Sequence, residues 1–242
     1  MTREFYESAY TVADPAEAAR LGRWRALGAR SKADHAVALC ERAGLRTETL
    51  VEIGCGDGSL LAELSARGLA PVLDGFELSP KAAGFARDRA IPGAGRIEAF
   101  DGLHVPADDG AYDLAVLSHV LEHVPDPLPL LTEAARVASN VLVEVPLEAN
   151  RSAARPAKRA EAARIGHVHA FDRAAVKALV EGAGLTAAHH LADPLPYRHH
   201  AFFGRRGRAG VKWAVRSAAH RLAPGAAERL FTVHYALITA AS

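Results

Sequence analysis

Short apolar runs alternate with longer amphipathic segments through the middle of the chain, between residues 49 and 146. This alternation is typical of strands and helices that build a parallel α/β sheet. Two further apolar runs, in the last quarter of the chain, also predict strands. The seven predicted strands cover approximately residues 49–53, 71–77, 97–101, 112–119, 140–146, 185–193 and 231–238.

The segments outside the strands predict helices and connections. Residues 16–44 carry apolar positions at helical spacing and predict a helix that precedes the first strand and caps the site. Residues 147–170 predict an ordered loop with a short helix. Asp172 is a suitable N-cap for a helix that ends at Gly182 or Gly184. We therefore divide the chain into an N-terminal helical cap, residues 1–47, and a core, residues 48–242.

Composition supports one globular unit. The chain has 242 residues, half of them hydrophobic, and this suits a single α/β domain with additions. Its two cysteines, Cys40 and Cys55, indicate no disulfide framework and a reducing compartment. The first seven residues lack the apolar core of a signal peptide, and no apolar run is long enough to span a membrane. We therefore expect a cytoplasmic protein with no membrane association.

The first predicted strand opens directly into a glycine-rich turn. Residues 51–59 read VEIGCGDGS, and an apolar helix follows. Glycines let a backbone turn sharply and approach a ligand closely, and a helix start offers free N–H donors. A dinucleotide-binding loop would need its third glycine at position 59, which is Ser59. Glu52, two residues before the first glycine, favours a cationic ligand group over a pyrophosphate.

Acidic residues end the next two strands. Glu77 lies about twenty residues after the glycine loop, at the distance expected of a ribose-binding carboxylate. Asp101 ends the third strand, and Ser118 and His119 end the fourth. Four motifs in this order, over roughly residues 48–192, resemble the class I S-adenosylmethionine-dependent methyltransferases.

The resemblance implies an α/β fold with a doubly wound, Rossmann-like, seven-stranded sheet. Its last strand would lie antiparallel between strands five and six. It also implies that S-adenosylmethionine is the cofactor and S-adenosylhomocysteine the product. Glu52 and the glycine loop would hold the methionine end, Glu77 the ribose and Asp101 the adenine amino group. The cofactor-binding residues expected on this basis are Glu52, Gly54, Cys55, Gly56, Gly58, Glu77, Leu78, Asp101, Gly102 and Ser118.

Two histidines are candidates for activating the methyl acceptor. His119 ends strand four, and in this fold ligands bind outside the carboxyl ends of the strands. His167 lies just before the helix that starts at Asp172, over the expected substrate mouth. Imidazole is the side chain best suited to proton transfer at neutral pH. The alternative for His119 is that it only lines the pocket.

A metal-binding arrangement is a second hypothesis for the same region. His119, Glu122 and His123 are spaced i, i+3 and i+4, so a helical turn would place them on one face. His167 or His169 could supply a further ligand. The pattern resembles the Glu-x-x-Glu-His element of microRNA-terminal 2′-O-methyltransferases and of some ubiquinone-pathway O-methyltransferases, with His119 in place of the first Glu. Three imidazoles would favour zinc, iron or manganese over magnesium. In the alternative, Glu122 and His123 only tie the helix start to neighbouring loops.

The region from Pro194 to Ala227 contains seven Lys or Arg residues, three histidines and no acid. It predicts either a lid for an anionic substrate or a solvated helix surface. The net charge of +1 does not favour nucleic acid as a partner. We expect smaller roles for two other acids, Glu148 and Glu144. We expect Glu148 to reach the mouth of the site, and Glu144 to face solvent or a buried arginine.

We expect methyl transfer to an oxygen or nitrogen of a small metabolite. The alternatives are a metal-dependent RNA 2′-O-methyltransferase that uses residues 194–227 as its groove, and a non-catalytic cofactor-binding protein. A third is a protein that uses the sulfonium only as a charge. The sequence predicts neither the acceptor nor the oligomeric state.

Overall fold

A computed structural model describes residue 7, residues 10–204 and residues 206–240, without the side chain of Phe203. Residues 1–6, 8 and 9 of the predicted cap lie outside the described residues. So do Arg205 of the basic region and the last two residues of the predicted core.

The described residues contain one seven-stranded sheet with the order β3-β2-β1-β4-β5-β7-β6. The strands are β1 (Thr49–Ile53), β2 (Val72–Glu77), β3 (Ala94–Ala99), β4 (Tyr112–Ser118), β5 (Ala138–Pro146), β6 (Ala187–Asp193) and β7 (His234–Thr239). Strand β7 pairs antiparallel with both β5 and β6, while β1 to β5 pair in parallel. The predicted doubly wound sheet with an antiparallel last strand is confirmed.

Nine helices and one 3₁₀ turn, Leu121–His123, connect the strands in the described part of the chain. The helices are α1 (Pro15–Ala43), α2 (Ser59–Ala66), α3 (Pro80–Asp88), α4 (Pro127–Val137), α5 (Pro156–Ile165), α6 (Arg173–Gly182), α7 (Tyr197–Phe203), α8 (Arg206–Leu222) and α9 (Pro224–Leu230). Asp172 caps α6 as expected, because its side chain accepts a hydrogen bond from the N–H of Ala175 at 2.8 Å. The predicted loop over residues 147–170 contains α5.

Helix α1 is a single helix of 29 residues. The Asp14 side chain accepts from the N–H of Ala16, and Pro15 occupies the first turn, where its missing N–H costs nothing. Gly44 ends the helix with a φ of +63°, the left-handed conformation that suits glycine. The helix packs against α2 and the strands β6 and β7, so it covers the sheet beside the glycine loop.

Apolar side chains from alternate positions of the strands form a core on each side of the sheet. On one side, strand residues such as Leu50 and Leu142 pack with helices α1, α2 and α3. On the other, residues such as Val51 and Val143 pack with α4 and α6. Glu52 and Glu144 share the parity of Leu50 and Leu142, so their side chains lie on the α1 side of the sheet.

The strand order reverses between β1 and β4, with β2 on one side and β5 on the other. In open α/β sheets the ligand crevice lies outside the carboxyl ends of the strands at this switch point. None of the described helices combines the length and the apolarity needed to cross a membrane.

Candidate functional site

A cleft of about 1740 Å³ lies at the carboxyl ends of the central strands. The glycine loop forms its floor, α1 lies along one side, and residues from 146 to 170 lie along the other. Side chains from α7 and α8, including His199 and Lys212, also reach its wall. The cleft brings together Glu52, Gly54, Cys55, Gly56, Ser118, His119 and His167.

The glycine loop is built so that backbone, rather than side chain, faces the cleft. Gly54 has a φ of +82°, and a Cβ atom there would lie 2.6 Å from Cγ2 of Val120. Gly56 has a φ of +56°, and its Cβ would lie 2.8 Å from the hydroxyl of Tyr10. Any other residue at either position would meet both steric contact and backbone strain. The loop therefore requires glycine for its shape.

Glu77 ties the loop to the end of β2. Its Oε2 atom accepts from the N–H of Gly56 at 2.9 Å, and Oε1 accepts from the N–H of Ser79 at 3.0 Å. Burial raises the pKa of Glu77, although these backbone hydrogen bonds oppose the increase. Both oxygens thus lie beside the loop, at the position expected of a ribose acceptor.

Glu52 is buried at the carboxyl end of β1, and its Oε2 atom has no hydrogen-bond partner among the described residues. Burial raises its pKa well above the usual value, and the charges of Glu77 and Asp57 add to this against the opposing charge of Lys32. An acid left without a partner in a site of like charges is stabilised by a cationic ligand group. The structure therefore offers an ammonium-binding position at the start of the loop.

Asp57 follows Gly56 and is fully engaged by the protein. Its Oδ1 accepts from the N–H and the hydroxyl of Ser59, and its Oδ2 lies 2.9 Å from Arg25 and 3.0 Å from Arg89. Burial alone would raise the pKa of Asp57, but Ser59 and the two guanidinium groups lower it overall. Asp57 thus fixes the loop to the start of α2 and to α1.

Asp101, the acid predicted to bind the adenine amino group, lies just beyond the end of β3. Its Oδ1 accepts from the N–H groups of Leu103 and His104, and its Oδ2 lies 2.9 Å from Nδ1 of His104. These contacts lower the pKa of Asp101 to about 2. The side chain is half exposed, so one carboxylate oxygen can exchange His104 for a ligand donor. Next to it, Gly102 has a φ of +87°, and a Cβ atom there would lie 3.2 Å from Leu78.

Cys55 and Ser118 complete the predicted set of cofactor contacts. Burial raises the pKa of the Cys55 thiol well above its usual value, so the thiol stays protonated. The Ser118 hydroxyl lies 3.3 Å from Oε2 of Glu144. Both residues line the cleft.

The four predicted metal ligands do not form one group. His119 lies outside the 3₁₀ turn with a φ of +58°, so it does not share a helical face with Glu122 and His123. The structure instead forms two groups of potential ligands. Glu122, His123 and His167 form one, and His119 forms the other with Glu144 and His234. Within each group the candidate ligand atoms lie within 4.8 Å of one another.

Glu122 is fully buried at the centre of the first group. Burial alone would raise its pKa, but the neighbouring His119, with its Nδ1 at 3.0 Å from Oε1, outweighs this and lowers the pKa to about 2. Apart from this close contact with His119, neither Glu122 oxygen has a hydrogen-bond partner among the described residues. The rings of His123 and His167 meet edge to face, with centroids 4.8 Å apart. A buried carboxylate beside two imidazoles fits the donor set of a zinc, iron or manganese ion.

The carboxylate of Glu148, for which we predicted only a minor role, holds His167 in place. Nδ1 of His167 lies 2.7 Å from Oε2 of Glu148, and both residues line the cleft. When Nδ1–H donates to Glu148, the lone pair of Nε2 is left for a proton or a metal. His169 lies differently, because its Nε2 contacts the carbonyl oxygens of Val124 and Pro125 at 2.9 and 3.1 Å. It is not part of either group.

Glu144 was expected to face solvent or an arginine, and this expectation is wrong. It is fully buried and surrounded by histidines. Its Oε1 lies 3.2 Å from Nδ1 of His35, 3.4 Å from Nδ1 of His234 and 3.8 Å from Nε2 of His119. Burial alone would raise the pKa of Glu144, but the three imidazoles hold it well below the usual value.

His35 and His234 were not identified from the sequence. Burial lowers the pKa of His35, but Asp193 and Glu144 outweigh it and raise the pKa to about 9. Burial lowers the pKa of His234 and determines its net direction. A polar residue inside an apolar strand, as in the run FTVHYALI at residues 231–238, is the one signal that could have pointed to His234.

The basic region forms α7, α8 and α9. Lys212 and Arg216 of α8 line the cleft together with Arg151, Arg159 and Arg229. Burial lowers the pKa of Lys212 and of Arg216, since each is partly enclosed next to other cations. Other side chains of α8 are exposed, including Val211 and Leu222. The region therefore contributes both a cationic wall to the cleft and a solvated surface.

These residues fit S-adenosylmethionine. Its ammonium group would meet the free Oε2 atom of the buried Glu52. The glycine loop, where a Cβ atom at Gly54 or Gly56 would collide with Val120 or Tyr10, would present its backbone to the ligand. Glu77 and Asp101 provide acceptors for hydroxyl and amino groups at the ends of β2 and β3.

Comparison with known proteins agrees with this geometry. A family model described as a methyltransferase domain matches residues 22–190. The ubiquinone biosynthesis O-methyltransferase of Nitrosomonas europaea is 30% identical over 101 residues, which cover 40% of this chain and 42% of that enzyme. The chain thus spans about two fifths of the length of the curated relatives it matches.

Two solved structures share the fold. The geranyl diphosphate C-methyltransferase of Streptomyces coelicolor A3(2), in complex with Mg²⁺, geranyl diphosphate and S-adenosyl-L-homocysteine, superposes with a TM-score of 0.62 at 16% identity. That match covers 88% of this chain and 79% of the other. A chain from the Haloferax volcanii complex of the Trm112 methyltransferase activator with a methyltransferase also gives 0.62, at 18% identity, covering 95% of this chain and 100% of that one.

Proposed function

The chain belongs to the methyltransferase-domain family, and on that premise we propose that it transfers a methyl group from S-adenosylmethionine to an oxygen or nitrogen of a small metabolite. The observation that carries the proposal is the buried carboxylate of Glu52 at the start of the glycine loop, whose Oε2 atom has no hydrogen-bond partner among the described residues. A cationic amino-acid end satisfies that carboxylate, whereas a pyrophosphate would be repelled by it. The relatives named as O-methyltransferases support an oxygen acceptor.

Each part of the cofactor has a residue of this chain to hold it. Glu52 and the backbone of Gly54, Gly56 and Gly58 bind the methionine end, Glu77 binds the ribose hydroxyls, and Asp101 accepts from the adenine amino group. Cys55 and Ser118 line the cleft, and Leu78 and Gly102 lie next to Glu77 and Asp101 in the chain. When bound, S-adenosylmethionine supplies an electrophilic methyl group whose bond to sulfur breaks as the acceptor attacks, leaving S-adenosylhomocysteine. Positioning of the acceptor can supply much of the rate.

His167 is the better placed of the two candidate bases. Glu148 holds its Nδ1 at 2.7 Å, and this orients the ring and stabilises the positive charge that a proton on Nε2 creates. Burial and Lys32 lower the pKa of His119, but Glu122 and Glu144 leave it raised. Both ring nitrogens of His119 face buried carboxylates, whereas Nε2 of His167 is left for the acceptor proton. We therefore assign proton transfer to His167 and orientation of the acceptor to His119.

A metal-assisted route uses the same histidine differently. Glu122, His123 and His167 would hold a divalent ion that polarises the acceptor hydroxyl. Because Glu148 engages Nδ1 of His167, the ion and the acceptor proton compete for its Nε2 atom. Turnover in the presence of a strong chelator distinguishes the two routes, since the direct route is unaffected and the metal-assisted route stops.

The cleft wall indicates the charge of the acceptor. Lys212 and Arg216 line the site from the basic region and Arg229 lines it from the end of α9, and together they favour an anionic small molecule. The net charge of +1 does not favour nucleic acid as a partner. A cytoplasmic small-molecule enzyme is the proposal that agrees with these features.

The experiment is an acceptor screen with S-adenosylhomocysteine release measured by mass spectrometry. Small hydroxylated and amino compounds, with and without a carboxylate or phosphate group, would be offered at one cofactor concentration. Methyl transfer to one of them, enhanced by its anionic group, supports the proposal. Cofactor binding without release against any acceptor would favour a non-catalytic binding protein. Tight, strongly salt-dependent RNA binding would favour the RNA 2′-O-methyltransferase instead.

A further inference from the structure

We infer that His119, Glu144 and His234 form a binding site for a divalent transition-metal ion, separate from the group around Glu122. The inference goes beyond the proposed function, because it concerns a second metal-binding position. Binding there can be measured without turnover. The inference starts from a geometric finding. Three ring nitrogens converge on one carboxylate oxygen, Oε1 of Glu144. Nδ1 of His35 is hydrogen-bonded to it at 3.2 Å, whereas the nitrogens of His119 and His234 make no hydrogen bond of normal geometry to it.

Three different elements bring these side chains together. Glu144 lies on β5, His234 begins β7, and His119 follows β4 directly. Strand β5 pairs with both neighbours, so that Glu144 lies opposite Ser118 on one side and Ala236 on the other. The backbone N–H of His119 donates to the carbonyl oxygen of Glu144 at 2.8 Å. The sheet therefore fixes the spacing of the three residues rigidly, as a metal site requires.

The environment of His119 determines which nitrogen faces the site. Its Nδ1 lies 3.0 Å from Oε1 of Glu122, a fully buried carboxylate. A carboxylate in contact with one ring nitrogen keeps the proton there and leaves a lone pair on the other, as in carboxylate–histidine–metal arrangements. That other atom, Nε2, is buried without a hydrogen-bond partner and points at the Glu144 oxygen 3.8 Å away. A lone pair that faces a carboxylate oxygen calls for a cation between the two atoms, either a metal ion or a proton.

The distances suit a metal ion in that position. Ligand atoms about 2.1 Å from a tetrahedral ion lie about 3.4 Å from one another. The observed separations from Glu144 Oε1 are 3.4 Å to Nδ1 of His234 and 3.8 Å to Nε2 of His119. All three candidate ligand atoms lie within 4.8 Å of one another. Side-chain rotations that bring the two imidazoles closer together would complete the coordination.

The groups around the three ligands fit the roles of supporting residues. Nδ1 of His35 lies 3.2 Å from Glu144 Oε1, and its Nε2 lies 3.7 Å from Asp193, so this ring orients the carboxylate from the far side. The Ser118 hydroxyl lies 3.3 Å from the second oxygen, Oε2. Ligating carboxylates and imidazoles usually have such outer partners.

Two histidines and one carboxylate leave coordination positions open to the cleft, which His119 and His234 line. This donor set suits iron(II), zinc, manganese or cobalt better than magnesium or calcium. An ion here would lie on the α1 side of the sheet, beside the end of β4. The alternative occupant is a proton on Nε2 of His119, which gives a purely protein-based network.

The test is a Co²⁺ titration of the full chain, purified without a His tag and freed of metal by chelation. It uses a His123→Gln background, which disables the group around Glu122 and leaves the three proposed ligands intact. We expect one equivalent of Co²⁺, with the visible absorption of a four- or five-coordinate ion. Adding Glu144→Gln or His234→Gln should weaken binding at least about 100-fold. The exposed His189→Gln is the matched control and should leave binding unchanged.

Circular dichroism shows whether each variant is folded. If the buried Glu144→Gln variant does not fold, His234→Gln decides the result, because it removes a neutral ligand at the edge of the site. Absence of Co²⁺ binding in the His123→Gln background would overturn the inference in favour of the protonated network. So would binding that survives His234→Gln. Neither result depends on S-adenosylmethionine, so the proposed methyl transfer stands or falls separately.

Discussion

The backbone N–H of Gly56 donates to Oε2 of Glu77 at 2.9 Å. This hydrogen bond joins the middle of the glycine loop to the acid at the end of the neighbouring strand. A ligand that binds both parts of the site therefore meets a prearranged surface, and the cost of ordering the loop is reduced. The same contact makes the loop and the acid dependent on each other.

The first prediction concerns Glu52. Changing Glu52→Gln keeps the shape and removes the cost of ionising a buried acid, so we expect the free energy of unfolding without ligand to increase by about 1–2 kcal/mol at a pH above the shifted pKa. Affinity for S-adenosylhomocysteine should decrease about 10- to 100-fold, because the ligand ammonium loses its ionic partner. Thermal unfolding and calorimetry measure the two effects. A variant that is both less stable and equally tight-binding would contradict the assignment.

The second prediction is the pH dependence that Glu52 imposes. Its pKa in the folded protein lies above the value in the unfolded chain, so the folded state binds the proton more tightly. The contribution of Glu52 to stability is therefore present at low pH and is lost as pH rises through the shifted pKa. Ligand affinity should change in the opposite direction and increase with pH, since a cation prefers the ionised acid. Both slopes should be reduced in the Glu52→Gln variant.

The third prediction compares two glycines. Gly54→Ala places a Cβ atom 2.6 Å from Val120 in a backbone with positive φ. We expect this variant to lose about 1–3 kcal/mol of stability and also to lose cofactor binding. Gly44→Ala is the control, since its φ is also positive but nothing lies within 4 Å of its Cβ position. It should cost about 1–2 kcal/mol and leave binding intact. Equal binding by both variants would show that the loop is not part of the site.

The fourth prediction separates Asp101 from its neighbour. Asp101→Ala should weaken S-adenosylhomocysteine binding about threefold to tenfold, the effect of one lost hydrogen bond. His104→Ala should not weaken it, because removing that ring frees Oδ2 of Asp101 for the adenine amino group. Calorimetry of both variants is sufficient. If His104→Ala weakens binding as much as Asp101→Ala, the pair acts as a structural turn only.

The fifth prediction assigns the proton transfer. His167→Ala should decrease kcat about 10²- to 10⁴-fold and leave cofactor affinity unchanged. Glu148→Gln should act in the same direction with a smaller effect, because Glu148 contacts Nδ1 of His167 rather than the acceptor. His169→Ala is the control, since the His169 ring is held by the carbonyl oxygens of Val124 and Pro125 and by stacking on Phe171. A large decrease for His169→Ala alone would contradict the assignment.

Local pattern was sufficient to predict most of the sheet. The runs before Glu77 and Ser118 are strands because their apolar residues pack on both sides of a buried parallel sheet. Strand limits differ by a few residues at the edges, as at β3, which ends at Ala99 rather than Asp101. There, the Asp101 side chain accepts from the following turn and ends the strand pairing.

The histidine groups could not be predicted in the same way. His35 and Glu144 are 109 positions apart in the chain, and only the insertion of β7 beside β5 adds His234 to them. The prediction of metal ligands on one helical face assumed that His119 lies within a helical turn. The positive φ of His119 instead brings its Nε2 atom towards Glu144. Spacing reports contacts within one element, and these groups are assembled by several elements.

Calorimetric titration of the folded wild-type protein with S-adenosylhomocysteine, beside the Glu52→Gln variant, tests the central claim most directly. The account predicts one equivalent bound by the wild type and binding about 10- to 100-fold weaker in the variant. Absence of binding by the folded wild-type protein, or equal affinity in the two proteins, would contradict it.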